Sequence, residues 1–395
     1  MSYSRKLLIL TPRWPYPPFG GDKLFVSHVA KALREHSLTL LSLCSTHEEM
    51  ICDPEPGIFT EVHKVYLPRH RSYWNALAAL PGRRPLQLAY YSSAEFQRKV
   101  DQLVPRHDAV LAHLIRTGQY IATRHDGVPR VLLMADAISM TYQRMARLPR
   151  SFSLWPLLYH TEIRRLEACE RRLPKAFDQT WLHSDVDCYF LGLEQSRIKI
   201  VPMGVDLADF PFRKSSDGDV VAFIGNMSSS MNLDACRHFI CDMLPNLRSK
   251  AEIRFRVIGS CPPSVKSELE KHPGVEVTGR VDRIVDATGG VFCGVCPLRG
   301  GAGIQNKILN YLALGIPCVT SEIGLEGLRA KDGRDLLVYK SVDEGVDMIL
   351  ALRRDARLRF DLASNGRRFV ESEHDWATVY RRIQDEVSDL WSVGE

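Results

Sequence analysis

A chain of 395 residues exceeds what one ordinary hydrophobic core holds, and at about 150 residues per domain it accommodates two or three. Its 45% hydrophobic and 25% charged residues are the composition of a soluble globular protein, and 52 basic against 47 acidic side chains give a formal charge of +5, too mild to argue for nucleic acid but tolerant of an anionic surface. No run of about 18 apolar residues is present to span a membrane, Leu7-Leu8-Ile9-Leu10 is too short an apolar run for a signal peptide, and ten scattered cysteines suit a reducing, cytoplasmic setting.

Residues 6–11 read as a short apolar strand. The proline-rich stretch 12–18, then Phe19-Gly20-Gly21-Asp22-Lys23 and a helix through about residue 34, lead to a strand at 38–44. This is the βαβ opening that a parallel sheet with helices on both faces requires. Further strands are predicted at 62–67, 109–112, 131–134 and 180–182, with helical segments at 93–104 and 155–172. A second series of strands follows at 220–224, 253–258, 275–278, 291–297, 317–320 and 336–338, joined to the first through 200–211. The expected fold class is therefore α/β, with two doubly wound, Rossmann-like halves facing a central cleft: an N-terminal domain over 1–203 and a C-terminal domain over 204–374. By analogy with such architectures, the amphipathic helix within 375–395 packs back on the first half. Ligands of open α/β sheets bind at the carboxyl ends of the strands.

The segment 297–319 is the most informative one. An apolar strand ends at Leu298, Arg299-Gly300-Gly301-Ala302-Gly303 forms a loop, a helix is expected over 304–314, and Gly315 with Pro317 stops it. A glycine loop opening a helix is an anion seat, because the first N–H groups have no partner and the helix dipole adds positive charge there. Arg299 and Lys307 add two cations suited to a diphosphate. Many such turns carry glycines only for packing, and both cations could instead form surface salt bridges.

Other features admit two readings each. Cys293-Gly294-Val295-Cys296 lies inside a predicted strand with no second pair for zinc, which favours buried packing over redox or metal chemistry. Asp185-Val186-Asp187 has the look of a metal-binding pair, but it follows Ser184 at a helix start, where carboxylates cap; no metal site is expected. His113, ending the strand 109–112, is a satisfied core histidine or a group near a substrate. Asp136, at a strand end before Ser139, positions or deprotonates an acceptor hydroxyl, or caps a helix. Arg69, Arg71, Arg83 and Arg84 surround Tyr73, Trp74 and an apolar run, a pattern that suits an anionic membrane surface or a solvated loop and helix.

The segments 11–22, 201–206, 223–228 with Asn232-Leu233-Asp234-Ala235, 277–281 and 297–317 together resemble the retaining GT-B glycosyltransferases of the group 1 type, particularly the sugar transferases of bacterial exopolysaccharide operons. The resemblance covers nearly the whole chain and is denser in its second half. It implies transfer of a sugar from a UDP- or GDP-sugar to a hydroxyl of a saccharide or lipid-linked saccharide, with anomeric configuration retained and no metal or other cofactor required. It also implies that Arg299, Gly303 and Lys307 meet the diphosphate, with Ile304 and Gln305 amides nearby. Arg280 and Val281 would lie at the nucleobase edge, and Gly20 and Gly21 would belong to the loop over the phosphates. His113 would lie near the transferred sugar.

Two departures stand out. The family's two glutamates fall at Ala302 and Asn310, so both carboxylates are missing, although Asn310 can still hydrogen-bond a ribose diol. An Arg and Lys pair common in relatives is absent near Asn226 and Met231, which leaves Arg299 and Lys307 as the phosphate clamp. The missing glutamates also admit a non-catalytic nucleotide-sugar-binding or scaffold subunit of the same fold, while an epimerase is disfavoured by the lack of paired carboxylates. The expected partners are a nucleotide-sugar donor, a saccharide or polyprenyl-linked acceptor and an anionic membrane at the inner face of the cytoplasmic membrane, with no nucleic acid.

Overall fold

A computed structural model of the chain describes residues 4–148, 155–213 and 217–391. Within them, residues 4–146, 155–202 and 379–391 form one compact unit, and 147–148 with the described part of 203–378 form the other. No described helix is long and apolar enough to cross a membrane.

The first unit is built on seven strands: β1 (Lys6–Thr11), β2 (Ser37–Cys44), β3 (Glu61–Tyr66), β4 (Ala109–His113), β5 (Arg130–Ala135), β6 (Gln179–Leu182) and β7 (Ile198–Ile200). They run parallel in the order β3-β2-β1-β4-β5-β6-β7. Leu7, Leu8, Ile9 and Leu10 are completely buried, because a central parallel strand is covered by helices on both faces and so carries an uninterrupted apolar run. Strand order reverses between β1 and β4, which opens a crevice at their carboxyl ends. The helix Trp376–Ser388 supplies Val379, Ile383 and Val387, all buried at helical spacing. Gln384 donates from Nε2 to the Ala32 carbonyl (2.8 Å), and Gln179 donates from Nε2 to that of Glu386 (2.9 Å).

The second unit carries β8 (Val220–Ile224), β9 (Arg254–Ile258), β10 (Val275–Gly279), β11 (Val291–Cys296), β12 (Cys318–Ser321) and β13 (Leu337–Tyr339), parallel in the order β10-β9-β8-β11-β12-β13. Here the order reverses between β8 and β11, whose register ends at Gly294 opposite Ala222. Beyond that pair the strands part, and the phenol of Tyr311 fills the gap. Its hydroxyl accepts from the Ile224 N–H (2.8 Å) and lies 3.0 Å from the Ala222 carbonyl and 3.3 Å from that of Val295. Tyr311 is fully buried, so its ring replaces ladder bonds that would otherwise be lost at the split. Gly294 makes room for it, since a Cβ there would lie 2.5 Å from the Tyr311 ring.

Candidate functional site

In the second unit the crevice between β8 and β11 is bordered by the turn after Ile224 and by the loop after Cys296. The helix there spans Asn306–Leu314, with Gln305 as its N-cap residue, and so begins two positions later than the expected residue 304. Gly301 (φ 140°) and Gly303 (φ 70°) hold the preceding loop in backbone conformations that side chains disfavour, and a Cβ on Gly301 would collide with Met231 Sδ. Gln305 secures the turn: its Nε2 lies 3.3 Å from the carbonyls of Ala302 and Gly303, and its Oε1 accepts from Lys307 Nζ at 3.0 Å.

Lys307 is 8% exposed, and its ammonium lies 5.4 Å from the Phe223 ring centroid. Among the described residues it has no carboxylate partner. A buried cation is ordinarily paired; this one has a neutral amide and an aromatic face. Arg299 differs. Its guanidinium forks onto Asp234 (2.7 and 3.2 Å) and is about one-third exposed, so the salt bridge is present, and hydrogen bonding to Asp234 raises its pKa. Asp234 was not among the sequence candidates, since 65 residues separate it from Arg299 and no local pattern links them.

Asn226 opens the turn after β8, where its Oδ1 accepts from Ser228 N (2.9 Å) and its carbonyl from Asn232 Nδ2 (3.1 Å). Asn310 is half-buried on the loop-borne helix, Ile304 is half-buried before it, and Ala302 is buried in the loop. Asn306 Oδ1, which was not expected to matter, is buried with no hydrogen-bond partner among the described residues. Arg280 (exposed) and Val281 (half-buried) follow β10 at the sheet edge, two strands from β8. Cys293 and Cys296 are buried in β11, and burial raises both thiols. They are packing residues.

In the first unit, His113 ends β4 at the β1/β4 switch point. It is 2% exposed, and its Nε2 has no hydrogen-bond partner among the described residues. Burial, assisted by Arg116 and Arg13 and opposed by Asp22, lowers its pKa to about 4, so the imidazole is neutral near pH 7. Gly20 precedes the helix Gly21–Ala32, and both glycines are exposed. Asp22 in its first turn accepts from Arg13; burial opposes its ionisation, but Arg13, His113 and Arg116 outweigh that and hold it below the usual range.

Asp136 follows Ala135, which has φ 72°. It does not cap the next helix, Ile138–Ala146. Glu170 accepts from the N–H groups of Ile138 (2.7 Å) and Ser139 and from the Ser139 hydroxyl, and Asp187 accepts from Ala137 N (2.8 Å). Burial first, then the negative charge of Asp187 and Glu170, raises Asp136 to about 8. It is therefore mostly protonated near neutral pH. Asp187 itself sits in a capping turn, its N–H donating to Ser184 Oγ. Among the described residues no cluster of histidine, cysteine or carboxylate side chains could hold a metal ion.

Two doubly wound, Rossmann-like units, each with a crevice at its strand-order reversal, are the fold class termed GT-B. Comparison with known proteins bears on the particular kind. Residues 218–355 match the family described as "Glycosyl transferases group 1". The chain is similar in structure to HepE from Anabaena in complex with UDP and glucose (TM-score 0.69, 15% identity, 98% of this chain and 100% of that one). It is likewise similar to sucrose-phosphate synthase from Thermosynechococcus elongatus (TM-score 0.75, 12% identity, 99% and 100%). A third similar structure is the lipopolysaccharide outer core galactosyltransferase WaaB (TM-score 0.59, 11% identity, 96% and 99%). At these identities the likeness is one of fold. No curated protein matches the chain by sequence.

Proposed function

We propose that this protein is a retaining, metal-independent glycosyltransferase that moves a sugar from a UDP- or GDP-sugar to a hydroxyl of a saccharide or lipid-linked saccharide in bacterial polysaccharide synthesis. The observation that carries this reading is Lys307: a buried ammonium with no carboxylate partner, beneath a glycine loop, in the segment that matches the group 1 glycosyltransferases. Breaking the sugar–phosphate bond builds negative charge on the leaving diphosphate, and a fixed cation beside free helix N–H groups stabilises it without reorganisation. Arg299, shared with Asp234, adds a second charge at the loop's entrance. The UDP complex of HepE supports trying UDP donors first.

On this reading Gly303, Ile304 and Gln305 line the diphosphate with backbone groups, Asn310 and Asn226 meet the ribose and phosphates, and Arg280 with Val281 borders the base. Gly20, Gly21 and His113 serve the sugar from the first unit. His113, neutral at its unpartnered Nε2, donates or accepts a hydrogen bond at a sugar hydroxyl. Asp136, with its raised pKa, positions the acceptor hydroxyl, and the departing phosphate takes the acceptor proton, so no protein nucleophile is needed.

Exposed Tyr73 (61%), Trp74 (69%), Leu77 (52%) and Leu80 (40%), set among Arg69, Arg71, Arg83 and Arg84, support peripheral docking on an anionic bilayer at the inner face of the cytoplasmic membrane. Co-sedimentation with phosphatidylglycerol vesicles, weakened in Trp74→Ala and absent with phosphatidylcholine alone, is the expected result.

The deciding experiment is UDP or GDP release from candidate sugar nucleotides with and without EDTA, in wild type and Lys307→Met, whose apolar stem fills the same volume. Turnover unaffected by EDTA and reduced about a hundredfold or more in Lys307→Met, a loss of the size seen when a transition-state donor is removed, is expected. Nucleotide binding without turnover for any donor would instead identify a binding subunit, consistent with the uncharged Ala302.

A further inference from the structure

The first unit holds a second concave site that the donor chemistry does not use. At the carboxyl ends of β1, β2 and β3, beside the helix Arg69–Ala78, lies a cavity of about 240 Å³. Arg13 and Arg69 line it together with Tyr73, Tyr90 and Tyr91, and no carboxylate does. Arg13 reaches away to Asp22; Arg69 has no ion-pair partner among the described residues.

The tyrosines meet edge to face, Tyr73 on Tyr90 at 5.4 Å and Tyr90 on Tyr91 at 5.0 Å between centroids, which fixes the rings at steep angles to one another. The Arg116 guanidinium lies 5.1 Å over the Tyr91 ring, and buried Ser72 hydrogen-bonds Tyr90. The aromatic wall is thus held in place before any ligand arrives. A cavity below the roughly 300–1,000 Å³ of ordinary ligand pockets suits a single ring. Tyrosine supplies an apolar face for its C–H surface and a hydroxyl for its polar rim, and the Arg69 guanidinium, which has no ion-pair partner among the described residues, calls for an anionic group.

We infer that this cavity is the acceptor subsite and that it selects a sugar ring carrying a negative charge, a phosphate or a carboxylate, with Arg69 binding the anion and Tyr73, Tyr90 and Tyr91 the ring. This rests on the transferase reading above, and it names the class of acceptor.

Calorimetric titration of the full chain with glucose 1-phosphate, glucuronate and methyl glucoside tests it. A charged sugar should bind about tenfold or more tighter than the neutral glycoside, and Arg69→Ala should erase about a tenfold to hundredfold preference. Tyr73→Ala should weaken charged and neutral sugars alike. The phosphate and carboxylate arms identify which anion is preferred. Lys307→Met should leave the charged-sugar binding intact, which separates this cavity from a donor site that could also take glucose 1-phosphate. The UDP-induced thermal shift of Arg69→Ala and Tyr73→Ala reports that they are folded and that the second unit still binds nucleotide, and a wild-type melting temperature without ligand reports that Lys307→Met is folded. Equal affinity for neutral and charged sugars, no effect of Arg69→Ala, or loss of binding in Lys307→Met overturns the inference. If UDP shifts the melting temperature while those results hold, only the inference falls; if no nucleotide shifts it either, the transferase reading falls with it.

Discussion

Burial acts on Asp136 and His113 in opposite senses, and stability should follow pH accordingly. The folded state holds a proton on Asp136 up to about pH 8, where the unfolded chain has lost it near 3.8, so stability declines as pH rises through that window. His113 runs the other way: folded it stays neutral down to about 4, unfolded it charges near 6.5, so stability is lost as pH falls between those values. The two slopes offset each other up to about pH 6.5. Above that the Asp136 slope is no longer offset by His113, and Glu170, whose pKa burial raises to about 7, adds to it up to about that pH. Asp136→Asn should therefore flatten the melting temperature above about pH 6.5 and exceed wild type near pH 8. A wild-type profile that is already flat there would contradict the raised pKa. Arg299→Ala should cut turnover far more than it lowers the melting temperature, because the pair with Asp234 is partly exposed and such pairs contribute about 1 kcal/mol or less; unchanged turnover would remove the diphosphate assignment.

At the scale of elements, the central strands were readable because a strand covered on both faces carries a plain apolar run, as in Leu7 to Leu10. β7, with only Ile198 and Ile200 around Lys199 and three residues in all, has too little pattern to be read. The glycine loop was legible, but its helix began later than expected: Ile304 continues the apolar spacing, yet Gly303 has a positive φ and Gln305 is extended (φ −90°, ψ 96°), which keeps the chain out of helix until Asn306. The partners of the site were not legible, since Arg299 with Asp234 and Asp136 with Glu170 come together only through the fold. Tyr311 is the tie between helix and sheet. Tyr311→Phe strands the Ile224 N–H and should cost about 1–3 kcal/mol, and Gly294→Ala, which presses a methyl into that ring, about 1–3 kcal/mol. Both are readable by denaturant melts, and a Tyr311→Phe protein as stable as wild type would show that the phenol is dispensable.

At the scale of the whole chain, the first unit is discontinuous: residues 4–146 and 155–202 need 379–391, whereas the second unit lies almost entirely between them. Removing residues from Val379 onward uncovers the surface against which Val379, Ile383 and Val387 pack. At about 1.5–3 kcal/mol per buried apolar side chain, the loss is comparable to the whole stability of a domain. A truncated chain should keep the melting transition of the second unit and lose that of the first, as followed by calorimetry; retention of both would show the helix to be an accessory. The same discontinuity matters during synthesis. After Pro202 leaves the ribosome, elongation at about 5–20 residues per second takes roughly ten to forty seconds to deliver Val387. Through that interval the second unit can finish folding while the first waits, its apolar seat open to chaperones or to another nascent chain.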